Sequence, residues 1–200
     1  MSTETALVIG ASGGIGRAVS AELQRRGVSV TGLSRSADGL DVTDEESVRA
    51  ALDALDHPFD LVVVATGALT STRDAPEKSL ADLGEAELLA QLRLNALGPA
   101  LVLKHLKARV PRKGRWVFAA LSARVGSIGD NGLGGWYSYR TSKAALNALL
   151  HGAAVELARS RREAIVACLH PGTVATTFTE GYDHDKVAPD RAAERLIDVI

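Results

Sequence analysis

"ALVIGASGGIG", residues 6–16, decides the fold. Its first part, Ala6–Gly10, is an apolar run of strand length. Its second part is a glycine-rich loop that opens into "GRAVSAELQRRG". That next segment has helical periodicity, basic residues in its last turn and Gly27 as a stop. A buried strand, a glycine loop and a helix in this order form the opening of a dinucleotide-binding unit. Gly10, Gly14 and Gly16 hold the useful positions, with Gly13 in addition, and Ser12 and Ile15 complete the loop. Glycine permits positive φ and a close approach of backbone to phosphate. The helix N-terminus offers free N–H groups and a positive dipole end to a pyrophosphate. A tight turn without a ligand is the plainer alternative. Placement between the first strand and a helix favours the dinucleotide.

Outward from this unit, apolar runs alternate with longer helix-like segments. "VSVTGL" (28–33) reads as a strand and "GLDV" (39–42) as a short one. The segment between Ser34 and Asp41 is too short for a helix, so that crossover is abbreviated. "TDEESVRAALDAL" reads as a helix with Thr43 as N-cap and an acidic first turn. "FDLVVVATGA" (59–68) is a β-branched strand. "GEAELLAQLRLNALGPALVLKHLKARV" (84–110) is one long helix, bent at Gly98-Pro99. "GRWVFAALS" (114–122) is a strand and "SYRTSKAALNALLHGAAVELARS" (138–160) a helix, on which Ala144, Leu146, Leu149 and Leu150 pack on the sheet or on a partner helix. "AIVACLH" (164–170) is a strand ended by Pro171-Gly172, and a last helix begins after Pro189. Near-continuous apolar strands are those of a parallel sheet buried on both faces. The expectation is α/β: a Rossmann-like, doubly wound parallel sheet with helices on both faces, in a single domain over residues 1–200.

The composition is that of an ordinary globular chain: 200 residues, 46% hydrophobic, 24% charged, formal net charge −1. Nothing in it points to a nucleic-acid partner. The lone cysteine, Cys168, excludes an internal disulfide framework and fits a reducing compartment; its strand makes it a core residue. The N-terminus lacks the basic start of a signal peptide, and no apolar run approaches the ~18 residues of a membrane span. A cytoplasmic protein without a membrane partner is expected. His57, His105, His151 and His184 share no ligand spacing, so no metal is expected, and His170, before Pro-Gly, reads as structural. The basic cluster from Lys104 to Arg115 reads as solvated charge at a helix C-terminus.

The second strand ends near the residue that reads the adenosine ribose. An acid there favours NAD, and a basic residue accommodates the extra phosphate of NADP. Here the strand end is "LSRS", with Ser34 and Arg35 able to meet a 2′-phosphate, so NADP(H) is favoured over NAD(H).

Farther on, "LGGWYSYRTSKAALNALL" (133–150) sets Tyr139 and Lys143 four residues apart on one helix face. Tyrosine titrates near ~10, and a neighbouring ammonium stabilises its phenolate. Such a pair suits proton transfer coupled to hydride transfer at a carbonyl. Tyr137 has Thr141 at the same spacing and so gains no charge partner; it reads as a packing or substrate-side aromatic.

With these motifs the whole chain resembles the short-chain dehydrogenase/reductase family, and most of all its short C-factor-type members. The resemblance implies that "GASGGIG" holds the cofactor and that Asp41 and Val42 of "LDVTD" lie at the adenine. It implies that Asn95 of "LRLNALGP" holds a water for a proton relay, that Tyr139 is the acid/base, and that Lys143 also bonds the nicotinamide ribose. Pro171, Gly172, Val174 and Thr176 of "HPGTVATT" would lie near the carboxamide. A homodimer or homotetramer is implied through the two long helices.

The chain departs from the family pattern in three places. Ala65, Thr66 and Gly67 stand where the family has Asn-Asn-Ala-Gly, which keeps close backbone approach but loses the asparagine hydrogen bonds. In "LSARVG" the slot of the carbonyl-polarising serine aligns with Ala123, leaving Ser122 before it and Ser127 beyond it as candidates, either of which could instead bond local backbone. The chain ends at Ile200, where family members continue into a further helix and strand; residues 178–190 would form the substrate cap. The function implied is hydride transfer between a nicotinamide and the carbon of a small carbonyl or alcohol substrate, with Tyr139, Lys143, Asn95 and Ser122 as the catalytic group. A dinucleotide-binding regulatory protein with weak or no turnover is the alternative.

Overall fold

The computed structural model describes residues 4–56, 58–181, 183 and 185–200. Five parallel strands form one sheet: β1 (Thr5–Ile9), β2 (Ser29–Leu33), β3 (Leu61–Val64), β4 (Trp116–Leu121) and β5 (Ala164–Leu169), in the order β2-β1-β3-β4-β5. The chain leaves β1 toward one edge, returns, and continues from β3 toward the other. The order reverses between β1 and β3, and ligands of doubly wound sheets bind at such a crevice.

Alternate residues along the central strands enter two separate cores. Leu7, Ile9, Val62, Val64 and Phe118 face one side, under α3 (Glu45–Asp53), α5 (Gly98–Leu106) and α6 (Tyr137–Ala158). Ala6, Val8, Val63, Val117 and Ala119 face the other, under α1 (Gly14–Arg25) and α7 (Pro189–Val199). Two apolar faces require the unbroken apolar runs read in the sequence.

Several local expectations are corrected. "GLDV" is not a strand: Leu40 and Val42 drop into the core from a loop. The stretch after β2 does contain a helical turn, α2 (Arg35–Asp38), capped by the Ser34 hydroxyl on Ala37 N–H and stopped by Gly39 at φ 72°. Asp44, not Thr43, caps α3. The Asp41 carboxylate takes the N–H and hydroxyl of Thr43, which leaves the neighbouring aspartate to cap. The long helix is interrupted immediately before Gly98-Pro99. It comprises α4 (Glu85–Leu92), a π turn over Arg93–Leu97, and α5. Gly98 is needed where it stands, since a Cβ there would lie 3.0 Å from Val42. Cys168 is exposed rather than in the core, because β5 is an edge strand. Leu146 and Leu150 are buried, while Leu149 is half-exposed.

Among the described residues, no helix is long and apolar enough to cross a membrane, and no group of three or more His, Cys, Asp or Glu could hold a metal ion. His57 and His184 lie outside the described residues.

Candidate active site

The glycine loop sits at the C-terminal end of β1. Gly10 has φ 85°, and the N–H groups of Gly10 and Ala11 both reach Leu33 O, at 2.8 and 3.1 Å. The loop then folds back so tightly that a Cβ on Gly16 would lie 2.1 Å from Gly10 O. Gly13 stands at the N-cap of α1 and no side chain caps that helix. Its first-turn N–H groups are therefore available to an anion. Nearby, the Thr66 hydroxyl oxygen is buried and has no hydrogen-bond partner among the described residues. Open helix donors, a glycine cradle and an orphaned hydroxyl together fit a dinucleotide.

Two clefts meet over this loop, and Gly13, Ala65, Thr66 and Gly67 line both. The first adds Gly10, Ser12, Ser34, Arg35, Asp41 and Val42. Arg35 is exposed at the start of α2. Ser34 is buried, and its N–H and hydroxyl point to the Asp38 carboxylate, at 2.7 and 3.3 Å. Asp41 is held below the usual carboxylate range, chiefly by the Thr43 hydroxyl and then by the Thr43 N–H.

The second cleft, about 860 Å³ with its open mouth, adds Gly14, Ile15, Ser122, Tyr139, Lys143, Pro171, Gly172, Val174 and Thr176. Gly16 lies beneath both clefts, buried against Gly10, and lines neither. Phe178 and Thr179, from the start of the segment expected to form the substrate cap, line this cleft, as do Leu121 and Thr177, which the sequence did not mark, and His170, expected to be structural.

Tyr139 and Lys143 come from the first two turns of α6, and both are buried. Lys143 is only 3% exposed; its ammonium donates to Leu121 O at 2.8 Å and stands 5.7 Å from the Tyr139 ring centroid. Burial lowers its pKa from 10.5 to about 8, which leaves it mostly charged at neutral pH. The Tyr139 ring also meets Trp136 at 6.2 Å, edge-on, and Phe178 at 6.0 Å.

Asn95 lies inside the π turn, on the floor of the site rather than in its wall. Its carbonyl oxygen accepts Ala68 N–H at 3.0 Å, and its amide donates to Ala68 O at 2.9 Å and to the Ser142 hydroxyl at 3.1 Å. Ser142 in turn donates to Tyr139 O at 2.8 Å. A Cβ on Gly67 would lie 3.0 Å from Asn95 Oδ1 and 3.5 Å from Lys143 Nζ. One asparagine thus clamps the loop that follows β3, where the sequence lacks the family's asparagine pair. Glu87 and Gln91 extend the network by holding Ser71 and Thr72.

Ser122 and Ala123 both line the cleft, but the Ser122 hydroxyl donates to Asn147 Oδ1 at 2.7 Å. Ser127 is exposed and outside the wall. Gly126 packs its α-carbon on α6, where a Cβ would lie 2.9 Å from the Lys143 backbone.

A family model described as enoyl-(acyl carrier protein) reductase matches residues 10–197. The chain is 32% identical, over 96% of its length and 88% of the relative's, to 1-hydroxy-2-glutathionyl-2-methyl-3-butene dehydrogenase of Rhodococcus sp. strain AD45. It is 36% identical to the C-signal of Myxococcus xanthus over 60% of this chain and 72% of that one. A solved structure described as a short-chain dehydrogenase/reductase of Burkholderia multivorans with bound NADP superposes with a TM-score of 0.82, at 27% identity, covering 99% of this chain and 90% of that chain.

Proposed function

Because this chain belongs to the short-chain dehydrogenase/reductase family, a family of oxidoreductases, we propose that it is an NADP(H)-dependent enzyme acting on a small carbonyl or alcohol substrate, with Tyr139 as its acid/base. One observation carries the reading. A buried ammonium, Lys143, stands 5.7 Å from the Tyr139 ring in the cleft that the glycine loop opens into.

The nicotinamide, when bound, supplies or takes the hydride. The chain does the rest. The glycine loop and α1 hold the pyrophosphate, and the orphaned Thr66 hydroxyl gains a partner there. Pro171, Gly172, Val174 and Thr176 hold the carboxamide end. Tyr139 gives its hydroxyl proton to the carbonyl oxygen in reduction and takes it back in oxidation. Lys143 stabilises the phenolate left behind and bonds the ribose. Asn95, in the π turn beneath the site and fixed by its side-chain bonds to Ala68 and Ser142, holds the relay water. Ser122 orients the carbonyl, and must release Asn147 to donate to it. The nearby wall, with Leu121, Ala123, Val174 and Phe178, favours an uncharged substrate.

Arg35 and Ser34 are proposed to select NADP(H), with Asp41 and Val42 flanking the adenine. Arg35→Ala is expected to weaken NADPH binding about tenfold or more, the worth of one hydrogen bond between charged groups. NADH binding should change less than twofold, roughly what an Arg that meets only the extra phosphate implies. Fluorescence titration with both nucleotides at one ionic strength measures this; equal losses for both would remove Arg35 from the selecting role.

A homodimer or homotetramer is proposed through α5 and α6. Leu149 and Val155 are nearly half exposed there, beside an apolar groove lined by Ala100, Leu103 and Ala153. Light scattering at micromolar concentration should give at least twice the 21.0 kDa chain mass, and a monomer would dismiss the interface. Cytoplasmic residence belongs to the same reading.

A second reading, a dinucleotide-binding regulator with little turnover, draws on Ala123 in the serine slot and on the likeness to the C-signal protein. NADPH titration with a carbonyl panel on wild type and Tyr139→Phe separates the two. Tight NADPH binding without Tyr139-dependent turnover would select the regulator.

A further inference from the structure

Glu77 takes no part in the steps above, yet it is among the most buried polar residues, 1% exposed. A buried carboxylate is costly unless its oxygens are engaged. Both ends of Glu77 are engaged at the start of α6. Its carboxylate accepts the Ser138 hydroxyl in a short hydrogen bond and the Ser138 N–H at 3.4 Å, and its backbone oxygen accepts the Trp136 N–H at 2.6 Å. Arg73 stands 3.9 Å from the carboxylate and offsets its charge.

We propose that Glu77 is a positioning residue: it caps α6 from 61 residues upstream and so fixes where Tyr139 presents its hydroxyl. The helix cannot cap itself. Its N-cap is Trp136, whose indole accepts no hydrogen bond from the backbone and makes no cap. Trp136 is also the one described non-glycine residue with positive φ, at 52°. An aromatic ring is held there against the edge of Tyr139, and the capping oxygen comes from elsewhere. Gly135 lets the strand of contacts close, since a Cβ there would lie 3.2 Å from Glu77 O. Glu77 therefore grips the residues on both sides of Tyr137, and Tyr139 is the next residue in the helix. A carboxylate at this end also complements the dipole of a 22-residue helix.

The proposal rests on Tyr139 being the acid/base, so its test has a readout independent of turnover. Glu77→Ala, Glu77→Gln and Ser138→Ala are compared with wild type. Glu77→Ala should lower kcat at least ~10-fold, as sub-ångström misplacement of a reacting group does, with the Kd for NADPH unchanged. Glu77→Gln keeps an acceptor oxygen for Ser138 and should restore kcat to within about threefold of wild type, since a neutral acceptor still makes the cap. Ser138→Ala, which keeps the N–H partner and the fold, should fall between. In parallel, acrylamide quenching of tryptophan should rise in Glu77→Ala and not in Glu77→Gln. That change reports Trp136, because Trp116 is only 3% exposed. Unchanged quenching with unchanged kcat in Glu77→Ala would overturn the proposal, as would equal losses in Gln and Ala variants. Absence of Tyr139-dependent turnover in wild type would instead remove the oxidoreductase reading, and the quenching series would still decide the cap.

Discussion

Tyr139→Phe is expected to lower kcat about 10²–10⁴-fold, the range supplied by one positioned acid/base, while NADPH binds with unchanged affinity. The substitution removes one oxygen and little else. The ring stays between Trp136 and Phe178, and Ser142 still bonds the Tyr139 backbone oxygen rather than the side chain. The fold should therefore be intact, and any loss should lie in proton transfer. Steady-state kinetics on a carbonyl panel, with a nucleotide titration beside it, measures both. A variant retaining more than about a tenth of wild-type kcat would deny Tyr139 the role, because general acid–base catalysis is worth more than that.

Lys143→Met is expected to abolish measurable turnover without lowering stability at neutral pH. Lys143 is held at about 8, below its ordinary 10.5, because burial disfavours the charged form. Between pH 8 and 10.5 the unfolded chain binds more protons than the folded one, so stability rises with pH across that window. Below pH 8 the full cost is present, on the order of 3 kcal/mol. Methionine removes this cost and fills the same volume. It also strands Leu121 O, now bonded to the ammonium at 2.8 Å, which returns about 1–3 kcal/mol. The two nearly offset at pH 7. Above pH 10 only the loss remains, so the variant should be the less stable one there. Urea denaturation at pH 7 and pH 10 reads this crossing. A Lys143→Met protein whose stability relative to wild type is the same at pH 7 and pH 10 would show that burial does not tax the lysine.

The order of elements was legible because the central strands bury both faces. The short length and β-branched content of Ala6–Ile9 and Leu61–Val64, bounded by glycine, mark them as strands, and the glycine loop between strand and helix marks the crevice. What escaped depends on partners remote in sequence. The exposure of Cys168 follows from β5 lying at the sheet edge, which no local pattern reveals. The π turn at Asn95 adds one residue to a helical period over five positions, too little to disturb an apolar pattern. Thr43 was read as the cap of α3, but its hydroxyl is taken by the Asp41 carboxylate and the neighbouring Asp44 caps instead. The Tyr139–Lys143 pair was visible because both members share one helix face. Glu77 was not, because it sits in a loop and acts on a helix 61 residues away.

The segment that follows β5 and the glycine loop are in direct contact, for a Cβ on Gly14 would lie 2.5 Å from the Thr176 methyl. Helices α1 and α7, from opposite ends of the described chain, also lie together, with Arg26 on Asp198 at 2.6 Å. A dinucleotide seated between residues 13–16 and 171–176 would then be a noncovalent staple joining two distant stretches of chain. Its affinity is converted into resistance to opening, rising with the logarithm of its concentration. Heat denaturation with added NADPH should therefore show a melting temperature that rises with the logarithm of nucleotide concentration.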